Sequence, residues 1–79
     1  MRVLNLYTTQ GCHLCEAAAA MVKKQQVPDL ALQLVEISES EELMDIYGVR
    51  IPVLKFNDEK AELGWPFTAE ELNDFLAFA

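Results

Sequence analysis

Gly11-Cys12-His13-Leu14-Cys15 lies between an apolar run and the strongest helix-forming stretch of the chain, and this junction restricts the fold more than any other feature. Upstream, residues 2–7 read as a buried strand, with Val3, Leu4 and Leu6 apolar and Tyr7 closing it. Thr8-Thr9-Gln10-Gly11 is a polar turn. Downstream, the helix signal runs from Cys12 to about Gln26. Glu16 falls in the first turn, and the alanines at 17–20 are the best helix formers available. Lys23 and Lys24 occupy the last turns, where the helix dipole favours cations, and Pro28 blocks continuation. Leu14, Ala18, Met21 and Val22 follow helical spacing and are expected on the buried face.

The rest of the chain alternates in the same way. Residues 31–37 read as a second strand, and strand–helix–strand order implies a parallel pair with a right-handed crossover. Ser38-Glu39-Ser40-Glu41 has the form of a capping box with Ser38 as N-cap. The short helix after it presents Leu43, Ile46 and Tyr47 on one face, and Gly48 is placed as a left-handed stop. Val53-Leu54-Lys55-Phe56 reads as a third strand entered through Ile51-Pro52, and residues 61–63 as a fourth, paired antiparallel across a turn at 57–60. Thr68-Ala69-Glu70-Glu71 is a second capping box, with Phe67 and Leu72 spaced as a hydrophobic staple. The last helix buries Leu72, Phe75 and Leu76 and runs nearly to Ala79. The order β-α-β-α-β-β-α predicts an α/β fold: one four-stranded mixed sheet with helices on both faces, in one domain spanning residues 1–79.

Size and charge exclude several functions. A chain of 79 residues has material for one core, and 52% hydrophobic residues suffice to build it. The longest apolar run, at 17–22, is far shorter than a membrane span, and no signal-peptide pattern opens the chain. A cytoplasmic location is the expectation. A net charge of −7 argues against binding nucleic acid or an anionic membrane. The acidic residues read either as solvated faces or as a field that steers the chain toward a basic partner.

With cysteines only at 12 and 15, the chain is not a secreted disulfide scaffold. Cysteines at i and i+3 in a first helical turn have α-carbons roughly 5–6 Å apart, within reach of a disulfide. The unpaired N–H groups of a helix start favour negative charge, so a thiolate is stabilised there. Cys12 is nearest that end and is the candidate nucleophile; Cys15, one turn deeper, is the candidate resolving thiol. His13, if protonated, would stabilise the thiolate further and make the pair more oxidising; otherwise it is a solvent-exposed loop histidine. Three readings of the pair stand: a redox dithiol, half of a metal site, or two inert cysteines. Structural zinc takes four ligands, and one Cys-x-x-Cys with one histidine supplies too few without a second chain. No metal and no cofactor are therefore expected. Ile51-Pro52 is the second unusual feature, because a proline donates no ladder bond at the head of a buried strand.

A strand, a Cys-x-x-Cys opening a helix, a distant Ile51-Pro52 before a hairpin and a last amphipathic helix together resemble the thioredoxin superfamily. Gly11-Cys12-His13-Leu14-Cys15 with Trp65-Pro66-Phe67 is similar to the short glutaredoxin-like family, and the likeness spans essentially the whole chain. The resemblance implies a thiol–disulfide oxidoreductase in which Cys12 attacks and Cys15 resolves. It also implies a cis Pro52 beside the pair and an Ile51 backbone that receives an extended substrate. Arg50 either binds a substrate carboxylate or is a surface residue. Partners implied are a protein disulfide or small thiol as substrate, and an electron-donating reductase or thiol. The sequence departs from the pattern where glutaredoxins hold glutathione: their Gly-Gly-Asp is reduced to Gly64 before Trp65-Pro66. Weak or no saturable glutathione binding is the expectation. The rival readings are a dimeric metal or iron–sulfur carrier bridged through Cys12, and a non-catalytic adaptor of the same fold.

Overall fold

The computed structural model describes residues 2–78. The strands are β1 (Arg2–Thr8), β2 (Leu30–Glu36), β3 (Val53–Phe56) and β4 (Glu62–Gly64), and the helices α1 (His13–Gln25), α2 (Glu41–Tyr47) and α3 (Ala69–Phe78). They form one four-stranded sheet in the order β2-β1-β3-β4. β1 pairs parallel with β2 and antiparallel with β3, which pairs antiparallel with β4. The expected mixed sheet and element order are present; Ala79, where the last helix was expected to end, lies outside the described residues.

Strand alternation sorts the sheet residues between two faces. Leu4 and Leu6 of β1 with Leu54 and Phe56 of β3 face one way and pack with Ala18 and Val22 of α1 and Leu72 and Leu76 of α3. Val53 faces the other way and packs with Ile37 and Tyr47, and Tyr7, Leu43 and Ile51 close that smaller cluster. Helices α1 and α3 therefore cover one face and α2 the other. Leu4, Leu6, Leu54 and Leu72 have no exposed surface. Burying each stabilises the fold by about 1.5–3 kcal/mol.

Several local expectations are corrected by the packing. The buried stripe of α1 is Cys15, Ala18 and Val22, and Leu14 is 52% exposed. The helix is rotated relative to a stripe centred on Leu14, which turns Cys15 inward. Ile37–Glu39 forms a 3-10 turn capped by the Glu36 carboxylate, so Ser38 is not an N-cap. Ser40 is the N-cap of α2, its hydroxyl accepting from the Leu43 N–H at 3.2 Å. On α2, Tyr47 is buried but Ile46 is 44% exposed. Gly48 is right-handed (φ −48°), not left-handed; the chain turns because the N–H groups of Arg50 and Ile51 both reach the Tyr47 carbonyl. β2 starts and ends one residue earlier than expected, β4 one residue later. The second capping box forms in full: the Glu71 N–H donates to Thr68 Oγ1 at 3.0 Å, and the Thr68 N–H donates to Glu71 Oε1 at 2.8 Å.

The two serines separate by mutation. Ser40→Ala is expected to lower unfolding stability by about 1 kcal/mol, and Ser38→Ala by no more than a few tenths. Urea denaturation at neutral pH measures both.

Candidate active site

β1 ends at Thr8, and residues 9–11 carry the chain around to α1. Gly11 takes φ +78°, a left-handed conformation that a side-chain-bearing residue adopts only with strain. That turn sets Cys12 as the N-cap of α1. Its sulfur occupies the place of the usual capping oxygen and accepts the Cys15 N–H at 3.1 Å. The Cys12 N–H donates to the Thr9 carbonyl at 3.3 Å, closing the turn. Cys12 and Cys15 form a disulfide with α-carbons 5.2 Å apart. Cys12 is half-buried, whereas Cys15 is only 3% exposed. One sulfur of the bond is thus within reach of solvent and the other is shielded.

His13 stands on the outer side of α1. Its side chain is 93% exposed and its Nδ1 lies 3.3 Å from Glu16 Oε2. The Ile51–Pro52 bond is cis, as expected, and Pro52 is fully buried at the head of β3. The register Tyr7↔Val53 puts this turn at the end of the sheet where β1 leads to Cys12. The Trp65–Pro66 bond is also cis, and the Trp65 N–H donates to the Pro52 carbonyl at 3.1 Å. The second proline turn thus braces the first.

The Arg50 guanidinium bonds Glu62 Oε1 at 2.5 Å, and the Tyr47 hydroxyl donates to Glu62 Oε2 at 2.7 Å. Tyr47 stacks on Tyr7 with ring centroids 4.1 Å apart. Arg50 is therefore tied, through Glu62, to the end of α2 and to β4. The Arg50 hydrogen bond, then that of Tyr47, holds the Glu62 carboxyl below its ordinary range. Burial, then the bond to Glu62, pushes the Tyr47 hydroxyl up.

An open cleft runs between α1 and the end of β2. Its part beside Cys12, about 310 Å³, is bounded by the turn at 8–11, Glu16, Leu34 and Glu36. A second part, about 330 Å³, continues past Cys15 along Ala19 and Ala20 to Lys23, sharing Thr8, Glu16 and Leu34 with the first. Sequence reasoning did not single out Glu36. Its position follows from the parallel register Thr8↔Glu36, which sets the end of β2 beside the turn that leads to Cys12.

A mixed sheet of this order, with a Cys-x-x-Cys disulfide at a helix start and a cis-proline at the same end of the sheet, defines a thioredoxin-fold protein with a site that fits redox chemistry. The chain belongs to the glutaredoxin-like domain family (DUF836), whose sequence model matches residues 3–77. It is similar to the structural genomics target protein XcR50 from X. campestris, with 36% identity over 96% of this chain and 97% of that one (TM-score 0.84). Protein Ne2328 from Nitrosomonas europaea is 30% identical over 94% of this chain and 89% of that one (TM-score 0.78). A thioredoxin from Halobacterium salinarum shares the fold, at 23% identity over 94% of this chain and 70% of that one (TM-score 0.69). No curated protein matches the chain. Among the described residues no helix is long and apolar enough to cross a membrane, and no group of three or more His, Cys, Asp or Glu side chains is arranged to hold a metal ion.

Glu62 gives the site a pH signature. Folding depresses its pKa, so its contribution to stability is complete above the unfolded value near 4.5 and is lost as falling pH protonates it in the folded state. Glu62→Gln removes that contribution at neutral pH. The stability gap between wild type and Glu62→Gln is therefore expected to narrow from about pH 5 down to about pH 2. Denaturant titrations across that range read the gap.

Proposed function

We propose that the protein is a thiol–disulfide oxidoreductase that reduces protein disulfides through both cysteines. The observation that carries this reading is the asymmetry of the pair: a half-buried Cys12 sulfur aligned with the N–H groups of α1, bonded to a buried Cys15. In the reduced protein, the Cys15 N–H and the start of α1 favour a thiolate at Cys12. That thiolate attacks one sulfur of a substrate disulfide. The Cys12–substrate bond forms, the substrate S–S bond breaks, and its other sulfur leaves as a thiolate. Cys15, deprotonated, then attacks Cys12 Sγ and releases the second substrate sulfur. Two electrons pass to the substrate, protons from the protein's thiols and solvent complete its two thiols, and the protein is left as the disulfide. A thiol or a reductase resets it.

The remaining residues act around this exchange. The backbone of Ile51, beside buried Pro52, pairs with an extended segment of the substrate. His13 modulates the Cys12 thiolate from the exposed side of α1. The Arg50 guanidinium is engaged by Glu62, and the pair steadies the turn that carries Ile51. Glutathione finds little fixed charge to hold it, and serves at most as a weak substrate or reductant. The reading suits the cytoplasm, where thiols are kept reduced.

Trapping tests the division of labour. Cys15→Ser is expected to accumulate a mixed disulfide with a protein substrate, and Cys12→Ser at least about tenfold less. Equal trapping by the two variants would refute the assignment. Iodoacetamide alkylation of Cys12 in Cys15→Ser is expected to titrate below the free-cysteine value of about 8.5.

A further inference from the structure

We propose that the cleft between α1 and β2 seats the substrate segment flanking the disulfide cysteine, and that Glu36 and Glu16 select a cationic residue there over an anionic one. This rests on the disulfide-reductase reading above and adds to it a class of substrate.

Placement comes first. In the register of β2 against β1, Leu34 lies opposite Leu6 and Glu36 opposite Thr8. Leu6 faces α1, and alternation puts Leu34 and Glu36 on that face as well. Glu36 therefore stands at the mouth of the cleft, bounding the same space as Cys12. Leu34, 62% exposed, forms its floor, although it belongs to a strand of the central sheet. Helix α1 does not cover it, because the buried stripe of α1 is spent on Ala18 and Val22 over the main core. The two parts of the cleft adjoin at Thr8, Glu16 and Leu34, so a chain attached to Cys12 by a mixed disulfide has Leu34 to lie on. Its volume is in the range that takes a few side chains, not a folded domain.

Charge gives the segment its chemistry. Glu36 is held as a carboxylate: the Ser38 N–H donates to its Oε2 at 3.0 Å, and this bond, followed by one from the Thr9 side chain, lowers its pKa. Glu16 enters from the first turn of α1. Among the described residues, those bounding the part beside Cys12 include these two carboxylates and no lysine or arginine. Lys23 stands at the far end, beyond Cys15 and the alanines, and exposed His13 faces Glu16 from outside. A lysine or arginine next to the substrate cysteine thus meets opposite charge close to the reacting sulfurs. An aspartate, a glutamate or the carboxylates of glutathione meet like charge. The net charge of −7 adds a long-range bias of the same sign, which salt screens within about 10 Å. The local and long-range effects can be separated by substitution.

The experiment is a stopped-flow measurement of oxidation of the reduced protein by three matched peptide disulfides. Their cysteine is flanked by Lys, Gln or Glu, and each rate is divided by that of the same peptide with dithiothreitol to remove intrinsic reactivity. Wild type is expected to favour the Lys peptide over the Glu peptide by roughly tenfold. Glu36→Gln, which keeps an oxygen for the Ser38 N–H, is expected to reduce that ratio at least about twofold, and Glu16→Gln to reduce it independently. Glu42→Gln on α2 makes the same change in net charge on the other face of the sheet and is expected to leave the ratio unchanged. Equal normalised rates for the three peptides with wild type would overturn the proposal. So would a ratio that neither cleft variant moves, or one that Glu42→Gln moves as much. Failure of wild type to oxidise with any peptide would remove the oxidoreductase reading itself, and this proposal with it.

Discussion

The double registry of β1 is the constraint on which the rest of the structure depends. β1 is the strand with partners of both directions, parallel to β2 and antiparallel to β3. Leu4 and Leu6 have no exposed surface and anchor the larger core, while Tyr7 stacks on Tyr47 on the opposite face. A one-residue slip against either neighbour would move every side chain of β1 to the wrong face. Because the registers are fixed, so are the neighbours of the turn at the strand's end. Pairing with β3 brings Val53, and hence the Ile51–Pro52 turn, to that end; pairing with β2 brings Glu36. The site is assembled from three separate parts of the chain by the hydrogen-bond ladder of one strand.

Opposing electrostatic influences meet at Cys12. The start of α1 and the Cys15 N–H stabilise negative charge on its sulfur. Glu16 and Glu36, in the same cleft, disfavour it. The N–H donor lies 3.1 Å from the sulfur in a fixed geometry, whereas both carboxylates border an open cleft in which water and ions weaken their effect. The helix start therefore dominates the chemistry of the sulfur, and the carboxylates act mainly on what approaches it. Under the proposed function, reactivity and selectivity would be set by different groups at one helix start.

The parts of this architecture that were legible in the sequence are those fixed by local chemistry. The Cys-x-x-Cys between an apolar strand and an alanine-rich helix placed the disulfide, and Thr68 with Glu71 specified a cap that forms bond for bond. Where local chemistry offered near-equal choices, tertiary packing decided. Ser38 and Ser40 can each begin a helix; Glu36 takes the Ser38 N–H, and Ser40 is left to cap α2. On α1, Leu14 and Cys15 competed for the inner face, and the larger hydrophobe lost because the inner stripe must continue through Ala18 and Val22. The small alanine at 18 lets the helix approach Leu4 and Leu6 closely. Glu36, Glu62 and the second cis-proline were not legible, because their roles arise from strand register and not from spacing along the chain.

Glu62 and Glu36 illustrate that last point from opposite edges of the sheet. Both sit at or near strand ends, on β4 and β2, and each carboxyl is held below its ordinary range. Glu62 is satisfied from within by Arg50 and Tyr47, and its charge is spent on joining α2 to the sheet. Glu36 is satisfied through backbone and hydroxyl groups, which lower its pKa without cancelling its charge. A carboxylate neutralised by a guanidinium offers little field to a passing ligand, whereas one held by neutral donors keeps its full charge. Two residues of the same type therefore differ in the charge left to them, which is the basis of the recognition role proposed for Glu36.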